Sequence, residues 1–191
     1  SNAAAIVSAP ATPPSAETPD PERADAPVAA PVAGGLSREL WSGMGGASVD
    51  VLTLDNRFPD APDRRSTLAM LDRAGEGKDY GQRLRGYLVP AVSGVYTFWL
   101  ASDDGSELWL SSDETPDNAL RIAFVPGWTG HFQWDKYPEQ HSGPAQLEAG
   151  ARYYIEILHK QADQKDNLSV AWQSEGGERV LLDARWLLPL E

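Results

Sequence analysis

Asp103-Asp104-Gly105 puts two carboxylates side by side at the end of an aromatic run. Adjacent carboxylates suit a shared cation better than the opposed acid and nucleophile roles of a glycosidase, which must flank the scissile bond. By itself, though, Asp-Asp-Gly is also an ordinary turn signature. Other catalytic constellations are missing. The three histidines, His131, His141 and His159, are scattered without metalloprotease spacing. There is no Gly-x-Ser-x-Gly elbow and no phosphate loop. With no cysteine, a disulfide framework, a thiolate zinc site and a cysteine nucleophile are all excluded. The chain therefore reads as a non-enzyme. Its excess lies in aromatics, seven Trp and six Tyr, which either fill a core or offer flat apolar faces to a ligand.

The elements that carry these residues are short strands. Gln82 to Val89 alternates with a period of two and is closed by Pro90. Val95 to Leu100 is β-branched and aromatic, and too short for a typical helix. Glu107 to Leu110, Leu120 to Val125, Arg152 to His159 and Leu168 to Gln173 follow, each bounded by Gly, Pro, Asn or Asp. Short strands with turn chemistry at regular intervals predict an all-β fold, an antiparallel two-sheet sandwich or barrel. Arg64 to Arg73 resists the pattern and is expected to be a short helical turn or loop. Trp99, Trp109 and Trp172 lie in strands and are expected in the core. The long connection from Pro126 to Leu147 holds Trp128, His131, Phe132, Trp134 and Tyr137. Loops longer than about 12 to 15 residues are usually functional or disordered, so Trp128, Trp134 and Tyr137 are the candidate ligand-binding aromatics. The same connection is expected to cover the second apolar face of Val95 to Leu100.

Charge narrows the partners. The 191 residues carry 28 Asp plus Glu against 16 Lys plus Arg, a formal net charge of −12. A nucleic-acid surface must bring cations to phosphates, which argues against DNA or RNA. An anionic membrane surface would repel the chain, and no apolar stretch is long enough for a membrane helix. Residues 1–35 are dominated by Ala and Pro, with prolines at 10, 13, 14, 19, 21, 27 and 31. Such a segment cannot bury enough area to offset its ordering entropy. It is expected to be a disordered or extended polyproline-II linker, with the folded domain spanning 36–191. The opening Ser1-Asn2-Ala3 has the look of a tag-removal scar, so a longer natural chain is expected around this one.

The run Tyr80-Gly-Gln-Arg-Leu-Arg-Gly-Tyr-Leu-Val-Pro-Ala-Val-Ser-Gly-Val-Tyr-Thr-Phe-Trp-Leu-Ala-Ser-Asp-Asp-Gly-Ser-Glu-Leu-Trp-Leu-Ser111 resembles the central block of a PA14 domain. Leu147 to Lys160 and Asp166-Asn-Leu-Ser-Val-Ala-Trp-Gln173 resemble a second block, and Leu40-Trp41 with Leu52 to Pro59 fits the start. The resemblance covers about residues 36 to 190 and implies an antiparallel β-sandwich. It also implies, from the carbohydrate-binding members, a calcium ion on two adjacent aspartates joined by a cis peptide, with sugar hydroxyls completing the ion's shell. Carried over, those aspartates are Asp103 and Asp104. Further metal ligands are implied in the loop Lys160 to Asn167.

Residue chemistry is consistent with that implication. Calcium takes six to eight oxygen ligands. Two neighbouring carboxylates repel unless a cation lies between them, and in an extended trans dipeptide they would point to opposite faces. Gln161 and Asp163 alternate in the facing loop and are the candidate additional ligands. The loop departs from the fungal adhesins, in which an asparagine follows this strand closely. Here Asn167 comes later, and it has an alternative role bonding backbone groups where the next strand begins. The expected function is a calcium-dependent, lectin-like carbohydrate-binding module of a secreted, cell-surface or periplasmic bacterial protein, with a glycan as partner. The competing expectation is a structural or protein-interaction module without a sugar site, accessory to a larger protein or enzyme.

Overall fold

The computed structural model describes residues 34–74, 77–163 and 165–190. The expected linker over 1–35 therefore lies, up to residue 33, outside the described residues.

Along the chain run β1 (Leu36–Ser42), α1 (Val49–Thr53), β2 (Arg64–Leu68), β3 (Asp72–Ala74), β4 (Tyr80–Leu88), β5 (Gly94–Asp103), β6 (Ser106–Leu110) and β7 (Leu120–Val125). Then come β8 (Ala145–Leu147), β9 (Tyr153–Gln161), β10 (Asn167–Ser174), β11 (Val180–Leu181) and β12 (Leu187–Pro189). They form two sheets, a seven-stranded one ordered β2-β1-β4-β9-β6-β7, with β12 also on β4, and a five-stranded one ordered β11-β10-β5-β8, with β3 also on β10. Every named pairing is antiparallel. The expected sandwich is thus what the chain forms.

Alternation along each strand sends one row inward. Phe98 and Leu100 from β5, Leu84 and Leu88 from β4, Leu108 from β6, Ile155 and Ile157 from β9 and Val170 from β10 are fully buried between the sheets. Each such side chain contributes about 1.5 to 3 kcal/mol by leaving water. Trp172 joins them, stacked on Tyr96 at 4.6 Å. A smaller cluster of Trp41, Met44, Val49, Leu52 and Leu158 seats α1 against the larger sheet.

Three expectations are corrected. Arg64 to Arg73 is not helical, since it supplies β2 and the start of β3. β2 is an edge strand that buries only Leu68, so it carries no alternating signal. Trp99 and Trp109 are not core residues. Both point outward and are half-buried, because each shares its parity with the outward row of its strand.

The two ends of the sandwich meet. The Gly35 amide donates to the Leu187 carbonyl (3.1 Å) and the Ser37 hydroxyl donates to the Leu190 carbonyl (3.2 Å). A β-carbon on Gly34 would stand 2.4 Å from the Leu187 oxygen, so glycine is required there for the close approach.

Candidate functional site

Asp103 ends β5 and Asp104 opens the turn into β6, and the peptide between them is cis, as the resemblance implied. The turn is clamped on all sides. The Asp104 amide donates to the Lys160 carbonyl (3.1 Å), and the Lys160 amide returns a bond to Gly105 (2.9 Å). On the other side Asp103 pairs with Asn167 of β10. At its free edge it forms a bridge with Trp128, and next to it the Thr129 amide donates to Ser102 (2.6 Å). Below, the Gly105 amide donates to Ala47, whose oxygen would lie 2.8 Å from a β-carbon on that residue. Gly105 is therefore needed for close packing rather than for an unusual φ.

A chain of side chains holds the Asp103 carbonyl. The His159 ring meets it through Nε2 at 3.0 Å, and a carbonyl only accepts, so Nε2 carries the proton. His159 Nδ1 then accepts from Gln82 Nε2 (2.8 Å), and Gln82 Oε1 accepts from Arg38 Nε (2.5 Å). His159 is fully buried, and that burial pushes its pKa down to about 4, so the ring is neutral at physiological pH. Lys160, also fully buried, donates to the carbonyls of Met44 (2.7 Å) and Gln161 (2.8 Å). Burial lowers its pKa, opposed by the nearby negative charge of Asp104 and Asp79.

The site is rich in acceptors and short of donors. Asp104 Oδ2 accepts from the Ala162 amide (2.9 Å). The Asp103 carboxyl is pushed up to about 6, first by burial, then by the Asp104 carboxylate and a hydrogen bond to it, with Asp166 adding to the repulsion. Asp166 itself holds the Tyr80 hydroxyl through both carboxylate oxygens at 2.9 Å. Gln161 Nε2 donates to the carbonyls of Asp163 and Lys165 (both 3.0 Å), and Asn167 Nδ2 donates to the Thr129 carbonyl (3.1 Å). Flipping either amide would set oxygen against oxygen, so the orientations are fixed. Gln161 Oε1 and Asn167 Oδ1 are then left buried without a hydrogen-bond donor. Buried orphan acceptors are costly and uncommon.

Of the sequence-derived ligands, Asp103 and Asp104 share the turn, and Gln161 ends β9 beside Ala162, the residue whose amide bonds the Asp104 carboxylate. Asp163 lies two residues beyond Gln161. Its side chain is exposed and makes no hydrogen bond or ion pair among the described residues, and its backbone carbonyl serves to fix Gln161. Among the described residues no three His, Cys, Asp or Glu side chains form a metal-binding group, so a cation here would depend on amide oxygens as well as carboxylates. Sequence reasoning missed the relay of Arg38, Gln82 and His159. It did anticipate the backbone bond of Asn167, but not the orphan oxygen that this bond creates.

The aromatic candidates separate. Trp128 is 54% exposed beside Asp103, with the Lys136 ammonium 3.1 Å from its ring centroid. Trp134 and Tyr137 instead line a different cleft with Trp99, Phe132, His141 and Arg179. Another cleft, about 790 Å³, opens along the seam between β7 and β8 and is lined by neither aspartate.

The fold is thus a two-sheet antiparallel sandwich with twin aspartates, joined by a cis peptide, at the end of a central strand. The chain matches the PA14 domain over residues 73–186 and belongs to that family. It is 38% identical over 146 residues to mouse N-acetyl-beta-glucosaminyl-glycoprotein 4-beta-N-acetylgalactosaminyltransferase 1, a match that covers 74% of this chain and 14% of the transferase. The chain thus spans about one seventh of that relative's length. In structure it resembles the PA14 sugar-binding domain from an RTX adhesin, with a TM-score of 0.62 at 15% identity, covering 83% of this chain and all of that one. It also resembles the epithelial adhesin 6 A domain of Candida glabrata in complex with Galβ1-3GlcNAc. There the TM-score is 0.61 at 16% identity, with 88% and 90% of the two chains covered.

Proposed function

We propose that this chain is a glycan-binding module whose sugar site is built on a calcium ion held by Asp103, Asp104, Gln161 and Asn167. The observation that carries this reading is a pair of buried, undonated carboxamide oxygens on Asn167, which pairs with Asp103 across the sheet, and on Gln161, next to the residue that bonds Asp104, in the neighbourhood of two mutually repelling carboxylates. A hard cation satisfies all four groups at once, because calcium accepts carboxylate and amide oxygens alike. When bound, the ion supplies charge neutralisation and open coordination positions for a sugar's vicinal hydroxyls. The chain's own residues do the rest. Ala162 orients the Asp104 carboxylate, Asp163 and Lys165 orient Gln161, Thr129 orients Asn167, and the His159 relay fixes the Asp103 backbone. Trp128, beside Asp103, offers its ring to the apolar face of a sugar.

Two structural neighbours carry sugar-related names, the RTX adhesin domain and the adhesin 6 domain in complex with Galβ1-3GlcNAc, and this supports the ligand class. We read the role as binding rather than catalysis, since the match to the transferase covers only 14% of that enzyme. A secreted, cell-surface or periplasmic setting suits a calcium site, and among the described residues no helix is long and apolar enough to cross a membrane.

Scanning calorimetry in excess calcium and in chelator tests the metal. We expect a higher melting temperature with calcium, since a ligand bound only by the native state stabilises it by mass action. Equal melting temperatures overturn the calcium site. A glycan array probed in calcium tests the sugar, and an empty array overturns the lectin reading.

A further inference from the structure

The connection between β7 and β8 does more than frame Asp103. Farther along, the Ser142 amide donates to the Phe98 carbonyl and the Phe98 amide donates to Ser142 Oγ, both at 2.9 Å. Trp99 and His141 form a bridge there. Fully buried Gln140 ties the loop to Leu100 (2.8 Å) and to Gln133 (2.6 Å). These bonds hold open a cleft of about 410 Å³ walled by Trp99, Phe132, Trp134, Tyr137, His141 and Arg179, with Asp135 and Pro138 at its rim. That volume is within the usual range for small-ligand sites. Trp99 lies four residues before Asp103 on one strand, so the two places are about 13 Å apart.

Three features mark the cleft as more than packing. Phe132 is 41% exposed and holds a left-handed backbone (φ 58°), a conformation bulky side chains rarely adopt. It is stacked between His131 at 3.7 Å and Trp134 at 5.8 Å. The Arg179 guanidinium lies 4.2 Å from the centroid of the Trp99 ring, yet it makes no hydrogen bond or ion pair among the described residues. Asp135 lines the same cleft, is equally unengaged, and does not pair with Arg179. An aromatic floor with one free donor and one free acceptor complements a pyranose, which has an apolar C–H face and hydroxyls that both donate and accept. An extended peptide fits poorly, because this edge of β5 is already paired by the loop and offers no strand to augment.

We propose that this cleft is a second glycan subsite, independent of metal, that takes a neutral hexopyranose against Trp134 and Phe132, with Arg179, seated over the Trp99 ring, and Asp135 bonding its hydroxyls. It rests on the glycan-binding reading but not on the calcium site. The test is titration of the ¹⁵N-labelled protein with lactose and with N-acetylglucosamine at millimolar concentration, in chelator. We expect the Trp99 and Trp134 indole N–H signals to shift, and the shifts to persist in Asp104→Ala. Binding should weaken about tenfold or more in Trp134→Ala and in Arg179→Ala, the second being a surface change that leaves the fold intact. No shift with either sugar overturns the proposal, and so does binding that survives both cleft variants or is lost in Asp104→Ala. Binding in chelator without any calcium effect on melting would uphold this subsite while removing the metal site.

Discussion

Asp103 and Trp99 stand four residues apart on the outward row of one strand, yet their surroundings share almost nothing. Around Asp103 the groups are oxygen acceptors, and they are held by strands far apart in sequence. The support reaches through His159 and Gln82 back to Arg38 on β1. Around Trp99 the groups are aromatic rings and one free guanidinium, nearly all supplied by one loop laid along the strand edge. A polar site needs its backbone oxygens aimed, so it recruits the scaffold, whereas an aromatic cleft needs only planes at the right separation, which a well-anchored loop provides. The first site should therefore be coupled to the stability of the whole sandwich, and the second should not.

Acid gives the strongest test of that contrast. His159 has a folded-state pKa of about 4 against an ordinary 6.5, so the unfolded chain binds its proton first. This contribution to stability is complete above pH 6.5 and is lost as the pH falls to about 4, a loss of about 3 kcal/mol. Asp103 acts in the opposite sense in the metal-free protein. Its raised pKa makes the folded state the better proton binder, so its contribution strengthens as the pH drops through about 6. Urea denaturation at pH 7 and pH 4 should show the His159 part as the difference between the wild type and His159→Gln. Equal losses in the two proteins would detach the relay from global stability.

Calcium gives a slightly smaller effect. At a free concentration a hundredfold above Kd, calcium should add about 2.7 kcal/mol, a rise in melting temperature of about 5 to 10 °C for a domain of this size. Asp103→Asn and Asp104→Ala should abolish that rise. Gln161→Leu should weaken calcium affinity about tenfold, or about 1.4 kcal/mol, by removing one neutral oxygen. Without the metal it should still cost about 1 to 2 kcal/mol, because the amide nitrogen's bonds to the Asp163 and Lys165 carbonyls go with the oxygen. Isothermal titration with calcium measures the affinity, and urea denaturation in chelator measures the stability. The smallest effect belongs to the cleft. Arg179→Ala should change unfolding free energy by no more than about 0.5 kcal/mol and leave the calcium response untouched, and a shifted calcium response would show that the two places communicate.

Much of this architecture is written in the chain. β4, β5, β6, β9 and β10 announce themselves through period-two alternation and the turn residues between them, and the Asp-Asp-Gly turn stands out unaided. β2 does not, since an edge strand exposing Arg64, Arg65, Ser66 and Thr67 has no apolar face to reveal it. Trp99 and Trp109 mislead because aromatic content says that a residue packs somewhere, not on which side of the sheet. The orphan oxygen of Asn167 is invisible in sequence because it exists only once Thr129, 38 residues earlier, has taken the amide nitrogen. The division between Trp128 and Trp134 follows the path of an irregular loop, which spacing cannot give.

The hydrogen bonds joining Gly35 to Leu187 and Ser37 to Leu190 place the sandwich's points of departure side by side. A host protein can divert its chain into this unit and resume its course a few ångströms away, much as a pendant hangs from a single link. Grafting it into a surface turn of an unrelated scaffold should therefore leave both partners folded. Through such an attachment, a module that spans only a fraction of its long relatives can be gained or shed without redesigning what surrounds it.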